Sequence, residues 1–239
     1  MVSMRASARG ALNVVFLLAG LSGLAWGGLS AKDSAISDDF VAVEARLLRF
    51  ETFTPGAANR ALQLAQTNPV SACDSHAQHT LLLLEIPLLD AALRAGAVKE
   101  FDQRMAAMEE RTRLTLSCAP RDSFAWLVAF GLALGHGHLD DSAFALLAQS
   151  YQTGPNEAWI AVRRTILASP VITRAPDGVK AEILDEFGTL VRRGFVDVVA
   201  KAYVSAPSQA QALLKSRIDQ LDSRAQTSFA KAVESLRRS

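Results

Sequence analysis

The chain has 239 residues, half of them hydrophobic, and its 25 basic and 24 acidic side chains give a formal net charge of +1. A charge this close to zero does not imply nucleic-acid binding, and the scattered arginine dipeptides are typical of solvated helix faces and ends. Alanine and leucine dominate the hydrophobic residues, and no alternating run rich in Val, Ile, Thr and Tyr predicts a strand. We therefore expect an all-α protein.

The first part of the chain has the pattern of a membrane segment. Residues 11–29 are uncharged and mostly apolar, and their number is about what is needed to cross a bilayer. Arg5 and Arg9 precede this run and acidic residues follow it, so the N-terminus is expected in the cytoplasm and the rest across the membrane. The alternative is a cleaved signal peptide with a weak cleavage site near Ser30. In a bacterium, both alternatives put the body on the periplasmic side of the inner membrane.

This pattern divides the chain into four parts. Residues 1–10 are predicted to be cytoplasmic, residues 11–30 to form a single transmembrane anchor, and residues 31–37 to be a linker. Residues 38–239 are predicted to form one periplasmic domain, because they contain no second apolar run long enough to span a bilayer.

The body has the pattern of helices separated by proline, glycine and capping residues. Apolar residues recur at helical spacing up to a stop at Pro69. Asp74 is the expected N-cap of a long apolar helix, which Pro87 should kink or split and which ends near Gly96. The next helix, with one apolar and one charged face, is predicted over residues 98–117.

Residues 123–164 have the pattern of a helix, a turn, a second helix, a proline stop and a third helix. The first two of these helices resemble one tetratricopeptide unit. An earlier, weaker copy of the unit is predicted over residues 38–69. The hairpin between the two copies matches only through Gly96 and Pro120, which lie 35 residues before their counterparts Gly131 and Pro155. We therefore predict degenerate tetratricopeptide-like hairpins that stack as an α-solenoid or right-handed superhelix behind the transmembrane helix.

The tail is also predicted to be helical. A connector over residues 171–176 leads to a helix that ends at Gly194, and three further helices follow, separated near Pro207 and Asp222. Terminal helices that close the end of the stack are expected in a solenoid.

The two cysteines give the most specific geometric prediction. Cys73 lies 23 residues before Gly96, and Cys118 lies 22 residues after it. Equal arms of a helical hairpin bring both cysteines to the same end, and an oxidising compartment favours a disulfide between them. The alternative is a pair of unbonded buried thiols. Two cysteines at this separation do not predict a metal site.

Two histidine patterns contain residue types that bind metals. One lies in a predicted turn between helices and the other at the start of a helix, and polar residues are ordinary in both places. We interpret the first pattern as residues of a turn and the second as the exposed first turn of a helix. We predict no metal, cofactor or catalytic residue, since the sequence contains no nucleophile elbow, phosphate loop or zinc-protease motif. The residues concerned are His136, His138, Asp140 and Asp141 in the turn, and His76 and His79 at the helix start near Cys73.

An aromatic and basic cluster is the best sequence candidate for a binding surface. Trp159 and Arg163 are i, i+4 neighbours on the helix after Pro155, where their side chains are placed to stack, and Arg164 follows. Trp126 lies 33 residues before Trp159 and is a candidate for the same groove. Such side chains suit a sugar or an anionic polymer. The alternative is a packed tryptophan with arginines that hydrogen-bond to nearby loops.

Three runs of unlike residues resemble a known family. They are Cys118-Ala-Pro-Arg-Asp-Ser-Phe-Ala-Trp126, then Tyr151 with Gly154-Pro-Asn-Glu-Ala-Trp-Ile-Ala-Val-Arg-Arg164, then Glu186-Phe187 with Leu190-Val-Arg192. Over roughly residues 70–235 the chain resembles the membrane-anchored VpsP-type polysaccharide biosynthesis proteins. The resemblance implies an accessory role in exopolysaccharide assembly or export, and it implies no catalytic residues.

The expected function is that of a membrane-anchored periplasmic scaffold that docks inner-membrane proteins of polysaccharide synthesis or export. An envelope protein that binds or modifies a glycan is the alternative. A glycan site should gather Trp159 with at least two acidic or amide groups in a concave pocket, whereas a scaffold should show an extended apolar groove.

Overall fold

The computed structural model describes residues 17–25, 27, 43, 45, 54–67, 70, 71 and 73–238. These residues form helices, turns and loops without any strand, which confirms the predicted all-α fold for this part of the chain. From residue 55 onward the helices are α1 Pro55–Thr67, α2 Ser75–Arg94, α3 Val98–Cys118, α4 Ser123–Gly135, α5 Asp141–Thr153, α6 Ala158–Ala168, α7 Asp177–Arg192, α8 Val196–Ser205, α9 Ser208–Ile218 and α10 Ser223–Arg238, with a 3₁₀ helix, Ser169–Arg174, between α6 and α7.

The predicted membrane anchor falls partly outside the described residues. Of residues 11–30, only 17–25 and 27 are described, and they are helical and exposed. Within the described ranges, no helix combines the length and the apolar character needed to cross a bilayer. The predicted cytoplasmic segment, the linker and the cleavage site near Ser30 all lie outside the described residues.

α2 and α3 form a helical hairpin with a defined start and turn. The carboxylate of Asp74 accepts a hydrogen bond from the amide of Ala77 (3.1 Å), so it caps α2 as expected. α2 continues as a helix through Pro87, so the predicted split does not occur, because buried leucines such as Leu88 hold it against its neighbours on both sides of the proline. Gly96 adopts a φ of 64°, which lets the chain reverse into α3.

A disulfide between Cys73 and Cys118 closes this hairpin, which confirms the predicted bridge. The two Cα atoms are 5.1 Å apart, and the bridge joins residues separated by 45 positions. A bond of this kind persists in an oxidising compartment.

The start of α4 and the end of α5 approach closely. The carboxylate of Asp122 caps α4 by accepting a hydrogen bond from the amide of Ala125 at 2.8 Å. A Cβ atom placed on Gly154, just after α5, would come within 2.2 Å of the Ser123 hydroxyl oxygen. Glycine is therefore required at this crossing for steric reasons.

The helices pack mainly on their neighbours and next-neighbours in the chain. α2 packs on α3 and α4, α4 packs on α5 and α6, and α6 packs on α7 and α8. The same pattern continues with α7 on α9 and α8 on α10. Their buried side chains form one continuous core that extends from Ala58 in α1 to Val233 in α10.

The tail agrees with the sequence prediction except at one place. α7 begins at Asp177 and is followed by three helices, as expected. The predicted connector over residues 171–176 is instead mostly a 3₁₀ helix, because Pro170 stands at the start of this segment and its fixed φ suits a tight helical turn.

Candidate functional site

A large apolar groove lies between α2, α3, α4 and α6, with a volume of about 460 Å³. The lining residues of α2 recur at i, i+3, i+4 and i+7, and those of α3 at i, i+4 and i+7, so each helix contributes one continuous stripe. The groove is lined by Ile86, Leu89, Asp90 and Leu93 of α2, Phe101, Met105 and Met108 of α3, Phe124, Leu127, Val128, Gly131 and Leu132 of α4, and Arg163, Ile166 and Leu167 of α6.

The rim of the groove exposes large apolar side chains to solvent. Ile86 is 42% exposed, Leu93 is 64% exposed and Ile166 is 49% exposed. Single exposed apolar residues are ordinary, but these three border the same concave surface. A clustered apolar rim of this kind is typical of a site that another molecule covers.

Small and flexible residues shape the groove. A Cβ atom on Gly131 would lie 3.5 Å from the Leu167 Cδ1 atom, so the glycine leaves only a methyl-sized gap in the floor. A Cβ atom on Gly135 would come within 2.7 Å of the Met105 Cε atom, so this glycine makes room for the methionine. Met105 and Met108 can adjust their side chains to different occupants, because methionine is unbranched and flexible.

Arg163 contributes a cation to the groove wall. Its Nη1 atom donates a hydrogen bond to the Trp159 carbonyl oxygen (3.0 Å), and its guanidinium lies 5.2 Å from the centre of the Trp159 ring. Burial lowers the pKa of Arg163 to about 10, so its side chain is still protonated at neutral pH. The predicted pairing of Trp159 with Arg163 is thus present, and Arg163 is the member of the pair that lines the groove.

One end of the groove is supported by an aromatic cluster. The Trp159 ring lies 5.0 Å from Phe124 and 6.1 Å from the imidazole of His79, measured between ring centres. His79 also contacts the carboxylate of Asp122, and the side chains of this pair are 19% and 4% exposed. The prediction of an exposed first turn is therefore wrong for His79, because α4 and α6 pack over that face of α2. The side chain of His76 lies outside the described residues.

Arg164, predicted as a binding residue, is instead fully buried. Its guanidinium forms an ion pair with Glu186 at 2.6 Å and donates hydrogen bonds to the carbonyl oxygens of Ser150 and Gly154 at 3.0 and 3.2 Å. It also lies 4.5 Å from the centre of the Tyr151 ring. Adjacent helix residues differ by about 100° in direction, so Arg164 points into the core when Arg163 faces the groove. It joins α5, α6 and α7 and is inaccessible to a ligand.

Burial and charge act in opposite directions on the partner of Arg164. Burial raises the pKa of Glu186 above its ordinary value, and the Arg164 guanidinium opposes this rise by stabilising the charged carboxylate. Burial is also the main cause of the raised pKa of the neighbouring Tyr151 hydroxyl. The cluster is a structural ion pair that depends on both partners.

Trp126, the fourth predicted binding residue, does not reach the groove. Two residues along a helix correspond to a rotation of about 200°, so Trp126 lies nearly opposite Phe124 on α4. Its indole Nε1 atom donates a hydrogen bond to the Pro120 carbonyl oxygen at 2.8 Å. The structure therefore separates Trp126 from Trp159 and Arg163.

The turn between α4 and α5 holds the histidine and aspartate pattern seen in the sequence. His136 ends α4 and contacts Glu109, and Asp140 caps α5 through the amide of Ala143 at 3.0 Å. Hydrogen bonds from Ser142 and then from this amide lower the pKa of Asp140. Over the described ranges, no three His, Cys, Asp or Glu side chains are placed to hold a metal ion.

Sequence reasoning missed most of the groove. The sequence did indicate one wall of the groove, the stripe from Ile86 to Leu93. The helix that carries this stripe is apolar on more than one face, and a two-helix hairpin buries only part of that apolar surface. Met105 and Met108 lie on the apolar face predicted for the helix over residues 98–117, but the sequence does not show which surface that face meets. Their shared concavity with α6 arises from contacts between distant segments.

No family model matches this chain, and no curated protein or solved structure is significantly similar to it.

Proposed function

We propose that this protein is a helical scaffold of the bacterial inner membrane that holds a protein partner in its apolar groove and assists exopolysaccharide assembly or export. Residues 11–29 anchor it as a single span, and residues 38–239 form a periplasmic domain of degenerate tetratricopeptide-like hairpins. Its partners are inner-membrane proteins of polysaccharide synthesis or export.

The apolar groove carries the proposal. It is walled by four helices, and its exposed rim residues Ile86, Leu93 and Ile166 would leave water when a partner surface covers them. Interaction sites of this composition commonly accept the apolar face of a partner segment. The groove is therefore better suited to docking a protein than to chemistry.

Three further observations support the setting. The bridge between Cys73 and Cys118 suits the oxidising periplasm, and the uncharged run before residue 30 suits an anchor. Packing between neighbouring and next-neighbouring helices is the pattern expected of stacked helical hairpins. The resemblance to the VpsP-type proteins supports the link to exopolysaccharide.

A glycan-binding or glycan-modifying protein is the weaker alternative. Such a site should combine Trp159 with acidic or amide groups in one pocket. Among the described residues that line the groove, however, only Asp90 and Arg163 are charged or polar, and Trp159 supports the wall from behind. Sugars require more hydrogen-bonding groups than this surface offers.

Complementation of a deletion strain tests the proposal. Ile166→Glu puts a charge on the groove rim at a side chain that is already 49% exposed, and Val204→Glu is the matched control on α8, 36% exposed and outside the groove. We expect the deletion to abolish or strongly reduce secreted polysaccharide, Val204→Glu to restore it, and Ile166→Glu to fail at equal protein level. Normal polysaccharide in the deletion strain, or full complementation by Ile166→Glu, would refute the proposal.

A topology reporter tests the proposed location separately. Alkaline phosphatase fused after Ser239 should be active, because it folds with its disulfides only outside the cytoplasm. The fusion should remain in the membrane fraction after washing at high salt. An inactive fusion, or one released into the soluble fraction, would contradict the anchored periplasmic arrangement.

A further inference from the structure

A second cleft lies near the C-terminus of the chain, between α9 and α10. Both helices pack on α8, and between them they leave a cavity of about 380 Å³. This size falls within the range of about 300–1,000 Å³ that is typical of small-molecule sites. The described residues that line this cleft are all different from those that line the apolar groove, so the two are separate surfaces.

The floor of the cleft is apolar and aromatic. Ile218 of α9 and Phe229 of α10 are buried, and Tyr203 of α8 is partly exposed. The rings of Tyr203 and Phe229 meet edge to face with their centres 5.3 Å apart. Within the described residues the Tyr203 hydroxyl makes no hydrogen bond, so it can bond to a ligand.

The rim of the cleft offers hydrogen-bond acceptors and donors together. Lys215 and Asp219 form an exposed i, i+4 ion pair, and Glu234 pairs with Arg238 at 2.9 Å. The side-chain nitrogen of Gln226 donates a hydrogen bond to the Asp219 carbonyl oxygen at 3.0 Å. This bond fixes the amide and leaves its oxygen as an acceptor.

Arg237 is the charged side chain of this rim that stays without an ion pair within the described ranges. It is exposed in the last turn of α10, and the two carboxylates that line the cleft, Asp219 and Glu234, already pair with other cations. A planar guanidinium can donate two parallel hydrogen bonds to a carboxylate. The rim is therefore suited to a ligand that brings one carboxylate of its own.

We propose that this cleft binds a sugar unit that carries a carboxylate, as a uronic acid in a polysaccharide does. The carbon-bound hydrogens of the sugar lie on the aromatic floor at Tyr203, its hydroxyls bond to Gln226 and Glu234, and its carboxylate pairs with Arg237. This inference goes beyond the docking function of the apolar groove and does not depend on it.

Other classes of ligand match the cleft less well. The apolar part of the α10 wall extends only from Phe229 to Val233, about 6 Å, which is too short for the apolar face of a partner helix or for a lipid chain. An inorganic anion would meet the carboxylates of Asp219 and Glu234 at the same rim and would not use the aromatic floor. A sugar uses both the floor and the mixed donors and acceptors.

An oligosaccharide array probed with the purified full chain tests the inference. The array holds bacterial oligosaccharides in matched pairs, in which a hexuronate of one member replaces a hexose of the other. We expect the hexuronate members to bind, each about threefold to fivefold more tightly than its neutral counterpart, which is the effect of one exposed ion pair.

Two substitutions connect this binding to the cleft. Arg237→Gln should remove the preference for hexuronate, whereas Arg224→Gln, an exposed residue of α10 that does not line the cleft, is the matched control and should keep it. Tyr203→Leu keeps an apolar contact with Phe229 and should weaken both members of each pair by about fivefold to tenfold. The circular dichroism spectrum of each variant checks that the fold is retained.

Each outcome decides for or against the sugar site. An array without any binding, or binding that Arg237→Gln and Tyr203→Leu both leave unchanged, overturns the inference. Equal affinity for neutral and hexuronate members also overturns it, because the carboxylate is then not recognised. Ile166→Glu should leave sugar binding unchanged, so its failure in complementation beside an array without binding would refute the sugar site and leave the docking function standing.

Discussion

Replacement of Arg164 by methionine should destabilise the protein severely, because Arg164 is completely buried in the core. Arg164→Met keeps most of the side-chain volume but removes the partner of Glu186, whose side chain is only 9% exposed. It also removes the donors to the carbonyl oxygens of Ser150 and Gly154. Breaking a buried ion pair in this way costs about 3–5 kcal/mol, a large part of the roughly 5–15 kcal/mol that stabilises a typical domain.

The loss of stability caused by Arg164→Met should depend on pH, and the protonation of Glu186 decides whether this loss grows or shrinks as the pH rises. Burial raises the pKa of this carboxyl in the folded state, so its protonated form favours folding and that contribution is lost as the pH rises through the folded pKa. Arg164 limits the loss by stabilising the carboxylate. Without it, the destabilisation should grow from about pH 4, just below the ordinary Glu pKa of 4.5, to about pH 8.

Urea unfolding of the full chain, followed by circular dichroism at both pH values, measures these effects. Arg164→Met combined with Glu186→Leu removes both charges and should recover a large part of the lost stability at neutral pH. Arg113→Met, which removes an exposed pair with Glu110, is the control and should leave the free energy of unfolding unchanged within error. A loss below about 1 kcal/mol for Arg164→Met, or a loss that is equal at both pH values, would refute the reasoning.

Three other predictions follow from the described contacts. Cys73→Ser should lower the free energy of unfolding by about 4 kcal/mol, because the bridge closes a loop between residues separated by 45 positions. Urea unfolding with and without reductant measures this loss, and only the unsubstituted protein should become less stable when reductant is added. Gly154→Ala should destabilise by about 1–3 kcal/mol through its clash with Ser123, and an unchanged melting temperature would show that the crossing relaxes freely. Gly131→Ala should stabilise α4 by about 0.5–1 kcal/mol, because the new methyl group meets Leu167 at an ordinary contact distance, and a lower melting temperature would contradict this.

Properties that depend on local spacing were predictable from the sequence. α3 was expected over residues 98–117 and spans Val98–Cys118, because its apolar period and the following proline define both ends. The bridge between Cys73 and Cys118 followed from equal distances to Gly96, and the helical rise converts such distances directly into positions. Asp74 was recognised as a cap because capping involves only residues within one turn.

Which side chains line the groove could not be predicted from local spacing in the sequence. Arg163 and Arg164 are equivalent in the sequence, yet one lines the groove and the other is buried against Glu186. Which one faces outward is decided by the rotation of α6 against α4 and α7, and a rotation of about 100° would exchange them. The same reason separates Trp126 from Trp159, although both tryptophans lie near the start of a helix.

The sequence by itself determined an all-helical chain, the ends of most helices and a disulfide that holds the first hairpin closed, since each of these follows from the pitch of a single helix or from one turn. Only the tertiary structure decided that Ile86, Met105 and Ile166 border one concavity, because three helices from distant parts of the chain meet there. Packing also decided that Arg163 faces this concavity and Arg164 does not, since it sets the direction in which each helix turns its side chains.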